Sequence, residues 1–240
     1  MIITDRFVFI HLHKSGGSFV NECLLRFVPN ARSIGYHLPR LLIPADAARL
    51  PVLGFVRNPW SYYVSWFNFQ AQRPSPNAMF NILSENGSLG FGATVRNMLE
   101  LGSGSPHLTA LMAALPAHYG KSGLNLPAFA LAPIRNSGVG FYSFLYEYIY
   151  GDLSTMTVER AEDLRVRLLE YLESVGHRVT HAMNDFVMDR AALNTSEHGP
   201  YMDYYSDELR GLVAEKDNAI IARHGYQFGA DLAPRSRRLG

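Results

Sequence analysis

Apolar and polar positions along this chain follow two alternating rhythms, and their order predicts an α/β fold. From Arg6 to Leu12 the run is short, mostly apolar and rich in β-formers, with two glycines soon after it, which predicts a buried parallel strand. Over Ser18 to Val28, apolar Phe19, Val20, Cys23, Leu24 and Phe27 fall near helical spacing, and Pro29-Asn30 ends the helix. The same unit then recurs. Pro51 to Val56 reads as a second buried strand, Asn58-Pro59 as a turn and helix start, and Trp60 to Phe69 as an aromatic helix with more apolar residues than one face needs. The pattern weakens after Gln70. RPSPN, SENGSLG and GSGSP punctuate it, short helices are predicted over Ala93–Leu101 and His107–Ala117, and Lys121 to Gly140 is irregular. Residues 70–140 therefore read as a loop or helical insertion. A helix over Phe141–Tyr150, a third strand over Thr155–Val158 and a helix over Ala161–Val175 follow. Ser206 caps a closing helix that runs through His224 and ends at Gly225. The sum is one domain over residues 1–240, a three-layer α/β architecture with a mainly parallel central sheet.

Composition narrows the partners. The formal net charge of +1 over 240 residues offers no broad basic surface for nucleic acid or an acidic membrane, so any positive site has to be local. Lys14, Lys121 and Lys216 are the only lysines, and Lys14 sits in the glycine loop. Lysine is a compact point charge where arginine is a planar fork. A single cysteine, Cys23, excludes an intrachain disulfide and a cysteine-cluster metal site. The opening residues read as a strand rather than a signal peptide, and no apolar run reaches the roughly 18 residues of a membrane span. The cytoplasm is the simplest location. The tail APRSRRLG reads as a mobile basic end.

Two loops carry candidate chemistry. In the first, His13-Lys14-Ser15-Gly16-Gly17-Ser18, the glycines permit a tight path with backbone N–H groups turned toward an anion. The next helix adds partial positive charge, Lys14 a full one, and Ser15 and Ser18 hydroxyl donors. The loop is P-loop-like but lacks the Walker order GxxxxGK[ST]. A purely structural turn is the competing reading. In the second, Arg57-Asn58-Pro59-Trp60, with Ser61 and Ser65 beyond, Arg57 lies at the carboxyl end of a predicted strand, where open α/β sheets gather ligands. Arg57 as a surface charge, with helix-facing serines, is the alternative.

FVFIHLHKSGGSF followed by VLGFVRNPWSYYVSWF resembles the paired nucleotide-binding motifs of sulfotransferases that use 3′-phosphoadenosine-5′-phosphosulfate (PAPS). The nearest type is the carbohydrate branch, including uronyl 2-O-sulfotransferase-like proteins. His11-Leu12-His13-Lys14-Ser15-Gly16-Gly17-Ser18 is similar to the family's HxPKTGGTS, and Phe55 to Ser65 to its FVRNPxDRxxS. The segment from Leu193 to Phe228 resembles the family's closing region. His13 stands where proline is usual, and Ser61-Tyr62 where an acidic-basic pair is common. The resemblance implies that Lys14, Ser15, Gly16, Gly17, Ser18 and Phe19 surround the 5′-phosphosulfate, with Lys14 stabilising the leaving oxygen. It implies that Arg57 and Ser65 hold the 3′-phosphate, and that no metal is needed. It also implies a hydroxyl-bearing small molecule or carbohydrate as acceptor.

An alcohol acceptor calls for a general base, and histidine suits that role. His37, after the first helix and before the second motif, is the leading candidate, because Tyr36-His37 resembles the acceptor-side segment of the 2-O branch. His11 and His13, expected to point to opposite sides of an extended strand, rank below it, as does His198. Glu159 reads as a solvated strand-end carboxylate with a lesser claim to organising a loop. Arg135 and Arg160 read as surface charges, and Asn194, Thr195 and Ser196 as part of a closing loop. Aromatic runs near Trp60, Phe141 and Tyr201 read as core before they read as a sugar or adenine pocket. Two further readings stay open: a kinase-like phosphotransferase, and a nucleotide-regulated interaction protein without turnover. Homo-oligomerisation is left open as well.

Overall fold

The computed structural model describes residues 1–120, 123–191 and 197–230. Its strands are β1 (Ile2–Ile3), β2 (Val8–Ile10), β3 (Arg32–Ser33), β4 (Val52–Val56) and β5 (Met156–Arg160). Its helices are α1 (Gly17–Phe27), α2 (Pro59–Ala71), α3 (Ala78–Leu83), α4 (Phe91–Leu99), α5 (Pro106–Ala114), α6 (Ala128–Leu131), α7 (Phe141–Tyr150), α8 (Leu164–Ser174), α9 (His181–Asp189), α10 (Asp207–Lys216) and α11 (Asn218–His224). The described chain divides into two compact units, one of residues 1–57 and 149–191, the other of 58–148 and 197–230.

The first unit is the α/β body. Its sheet runs β3-β1-β2-β4-β5. The pairs β2–β4 and β4–β5 are parallel, in register Phe9 to Leu53 and Phe55 to Glu159. β1 is antiparallel to both its neighbours, so the sheet is mixed around a parallel centre. β1 and β3 were not foreseen from the sequence, because two residues each are too few to show a period. The turn that makes β1 possible is set by Thr4. Its Oγ1 accepts from the N–H of Arg6 and Phe7 and donates to Phe7 O at 2.8 Å.

β2 and β4 are buried on both faces, which is why they read as unbroken apolar runs. Phe9, Leu53 and Phe55 share one face and pack with Phe19, Val20, Cys23 and Leu24 of α1, Leu168, Leu169 and Leu172 of α8, and Met183 and Val187 of α9. On the opposite face Gly54 gives room to the Tyr150 ring at the end of α7, whose hydroxyl donates to Phe55 O at 2.6 Å. Helices α1, α8 and α9 thus cover one face of a sheet with a parallel centre, in keeping with the α/β reading. α9, absent from that reading, is held by Arg165, which donates to the carbonyls of Val187 and Arg190 at its C-terminal end.

The second unit is helical. The stretch read as a weak insertion carries α3, α4 and α5. Asn77 and Ser105 cap two of them, bonding Phe80 N–H at 2.8 Å and His107 N–H at 3.2 Å. The aromatic runs near Trp60, Phe141 and Tyr201 are core, as their helical spacing favoured. Tyr62 stacks on Tyr142 at 3.7 Å, and Trp60 and Tyr201 both pack on Phe228.

The expected single closing helix breaks at Asp217, and the reason is chemical. Asp217 is wholly buried. Its Oδ2 accepts from Tyr63 Oη at 2.7 Å and its Oδ1 from Ser143 N–H at 2.9 Å, which caps the first turn of α7 from a distance. Burial pushes its pKa up to about 6, against the hydrogen bonds from Tyr63 and Ser143 that lower it. The folded value lies above the ordinary 3.8. The stability this group contributes is therefore full below 3.8 and is lost as pH rises through about 6. Urea melts between pH 4 and 7 should show that loss, and Asp217→Asn should flatten it. Asp217→Ala, which strands the Ser143 N–H and the Tyr63 hydroxyl, should cost about 2–4 kcal/mol.

Candidate active site

The site lies in the first unit, where β2 ends and the chain turns through His13–Gly16 into α1. The two glycines have different physical reasons. Gly16 is the N-cap with φ 78°, a conformation only glycine takes readily, and the Leu164 side chain fills the place of its missing Cβ. Gly17 is ordinary helix, but a methyl there would overlap the His11 imidazole. Gly16 O accepts from Phe19 N–H at 3.1 Å and Val20 N–H at 3.3 Å. The N–H groups of Gly17 and Ser18 come ahead of Phe19, the first of these donors, at the positive end of the helix dipole. α1 has no acidic residue in its first turn, so no side chain of its own neutralises that end.

Lys14 is partly buried, in the left-handed conformation with φ 57°. Arg57 follows β4, the parallel neighbour of β2, so the two loops leave the same edge of the sheet. Arg57 Nη1 donates a long hydrogen bond, 3.5 Å, to Lys14 O. Burial, and then the Arg57 charge, lower the Lys14 pKa to about 8. Two cations held this close repel each other, and a polyanion between them would relieve the repulsion. The buried Ser15 donates from Oγ to His13 O at 3.3 Å.

His37 lies between β3 and β4, also left-handed at φ 54°. Its Nδ1 is 2.9 Å from His11 O. A carbonyl only accepts, so Nδ1 carries the hydrogen and the lone pair of the neutral ring is on Nε2. The His13 ring lies flat on His37, with centroids 3.5 Å apart and planes 14° apart, and His11 contacts it at 4.3 Å. Burial first, then His13 and His11, hold the His37 pKa well below the usual 6.5. His37 is therefore neutral near pH 7, in one tautomer, with its basic nitrogen defined. Among the described residues seven non-glycines have positive φ, and four of them are asparagines, which tolerate it. Lys14 and His37 are two of the other three. Strain of that kind collects where the surrounding structure holds a group for use.

The expectation that His11 and His13 point apart is corrected: both rings meet His37. Residues two apart on extended backbone share a side, and the expectation had that parity reversed. Phe19 sends its ring into the core against Phe186. Ser65 is buried on α2 in the second unit. His198, also in the second unit, bonds Gly199 O through Nδ1 at 2.8 Å. Glu159 is paired with Arg167 at 3.4 Å, and Arg160 lies 4.0 Å from Glu162. Asn194, Thr195, Ser196 and the basic tail lie outside the described residues. Sequence reasoning missed the His11 carbonyl as the partner of His37. Backbone acceptors leave no mark in composition, and only the spacing of His11 and His13 pointed that way.

Among the described residues no group of three His, Cys, Asp or Glu side chains is placed to hold a metal ion, and no helix is long and apolar enough to cross a membrane. No family model and no curated protein matches the chain. Among solved structures it is similar to mouse sulfotransferase SULT7A1 complexed with PAP, at 14% identity, covering 92% of this chain and 86% of that one, with a TM-score of 0.49.

Proposed function

We propose that this protein transfers a sulfuryl group from PAPS to an acceptor hydroxyl, on a small molecule or a carbohydrate. The observation that carries the reading is the cluster in the first unit: Lys14 in the turn that leads into α1, Arg57 beside it, and a neutral His37 stacked on the residue that precedes Lys14. A bound donor supplies a sulfuryl group on a phosphate leaving group. His37 Nε2 takes the proton of the acceptor hydroxyl as its oxygen bonds to sulfur. Lys14 and the N–H groups of Gly17 and Ser18 stabilise the phosphate oxygen that keeps the electron pair when its bond to sulfur breaks. Ser15 and Ser18 complete the loop around the 5′ end, and Phe19, assigned there by the sequence motif, anchors the start of α1 in the core. Arg57 is assigned to the 3′-phosphate; the sequence motif alone assigns Ser65 to that group as well. The donor set is nitrogen and hydroxyl donors for an anion and calls for no metal.

The test is incubation with labelled PAPS and a panel of alcohols, sugars and phenols, with mass detection of both adenosine 3′,5′-bisphosphate and sulfated product. Absence of donor binding and of product across the panel would remove the reading. Metal-dependent ATP consumption would put a phosphotransferase in its place, and nucleotide binding with no turnover an interaction protein. Arg57→Ala should weaken adenosine 3′,5′-bisphosphate about ten- to a hundredfold, the loss of one charge-assisted contact to phosphate, in calorimetric titration. Adenosine 5′-phosphate, which has no 3′-phosphate, should lose much less.

A further inference from the structure

We propose that His13 is a positioning residue for His37, and that its flat ring and the His11 carbonyl together hold the base. Two contacts locate the His37 imidazole. The Nδ1 hydrogen bond to His11 O fixes the rotation of the ring in its own plane and the tautomer. The His13 face, 3.5 Å away and 14° from parallel, fixes the plane itself. Neither contact alone does both. His37 needs them because it sits in a loop at φ 54°, outside any helix or strand. His13 precedes Lys14 directly, so the support of the base and the cation for the leaving group belong to one turn of chain.

The inference rests on the sulfuryl-transfer reading for its catalytic meaning, but its physical content does not, and the tests separate them. The rings of His11, His13 and Tyr36 lie against His37; the charges of His13, His11 and the Met1 amine depress its protonation, and the hydrogen bond to the His11 carbonyl favours it. In the full-length protein, His13→Ala should lower kcat about ten- to a hundredfold, the usual cost of a misplaced group, with the KM for PAPS within twofold. His13→Phe keeps a flat ring and should restore most of that loss. In both variants the acidic limb of the kcat profile should move up, since the His13 contribution is gone, and stay below the ordinary imidazole range, since burial remains the larger cause. Nitrogen-15 NMR of His37 reads the geometry without turnover. The Nδ1–H tautomer should persist in wild type and in His13→Phe and mix with the Nε2–H form in His13→Ala. If His13→Ala does not fold, wild type against His13→Phe still decides. A His13→Phe protein that folds with a pure Nδ1–H tautomer and is nevertheless inactive would show that the His13 nitrogens are needed chemically, and would overturn the positioning role. Full activity of His13→Ala would overturn it as well. If wild type transfers no sulfuryl group but the tautomer responds as described, the function reading fails and the support of His37 by His13 stands.

Discussion

Lys14→Ala is expected to lower turnover by about 10²–10³-fold, the range for removing one preorganised charge from the place where negative charge develops. Donor affinity should fall less, because the α1 N-terminus and Arg57 remain. Rapid-quench kinetics at saturating donor, set beside calorimetric binding of adenosine 3′,5′-bisphosphate, separate the two effects. The pH dependence sharpens the expectation. Burial and the Arg57 charge bring the Lys14 pKa down to about 8 in the free protein. The cation is therefore complete below that pH and is lost as pH rises through it, so donor affinity should decline above about 8. Binding at pH 8 to 9 should take up a proton, because an anion favours the charged amine. Lys14→Arg stays charged throughout this range and should bind with a flat profile. Its planar fork does not place one charge where the amine sits, so its turnover should recover only in part. Wild-type turnover in the alanine variant would leave the loop a structural turn.

That structural reading has real content here, and the two glycines show where sequence and structure part. Gly-Gly before a helix was legible as a tight turn, and the strand before it and the helix after it were legible from period and punctuation. The sequence did not tell why both glycines are needed. One answers to Leu164, far along the chain, and the other to the His11 ring. Both are packing constraints that would hold without any ligand. What packing does not require is a lysine with positive φ beside them, or an arginine brought up to it from the neighbouring strand. The same division runs through the fold. Long periodic elements such as α1, α2, α7 and α8 could be read directly. The two-residue strands were too short to read, and the break at Asp217 depends on Tyr63 and Ser143, more than seventy residues away in the chain. His37 could be chosen from its place between the motifs. Its tautomer depends on a backbone oxygen and could not.

His37→Ala is expected to lower turnover on an alcohol by about 10²–10⁴-fold, the span of general-base catalysis, while leaving adenosine 3′,5′-bisphosphate binding within about twofold. The size of the loss should depend on the acceptor. An aliphatic hydroxyl needs its proton removed as the oxygen attacks, whereas an acidic phenol is partly ionised already. The deficit should therefore shrink steadily along a series of acceptors of falling pKa, and should nearly vanish for a nitrophenol. A residue that only shapes the pocket would give the same deficit for every acceptor. The wild-type profile carries a second mark of the same assignment. Burial and two imidazole neighbours hold the His37 pKa well below 6.5. The base is unprotonated above its lowered value, so kcat should hold as pH falls through 6.5 and decline only below it. An acidic limb at or above 6.5 that survives in His37→Ala would move the base elsewhere, and not to His11, whose pKa burial also holds well below 6.5. A low limb that disappears with His37, together with a deficit graded by acceptor acidity, requires proton transfer at Nε2, because neither packing nor donor binding gives both.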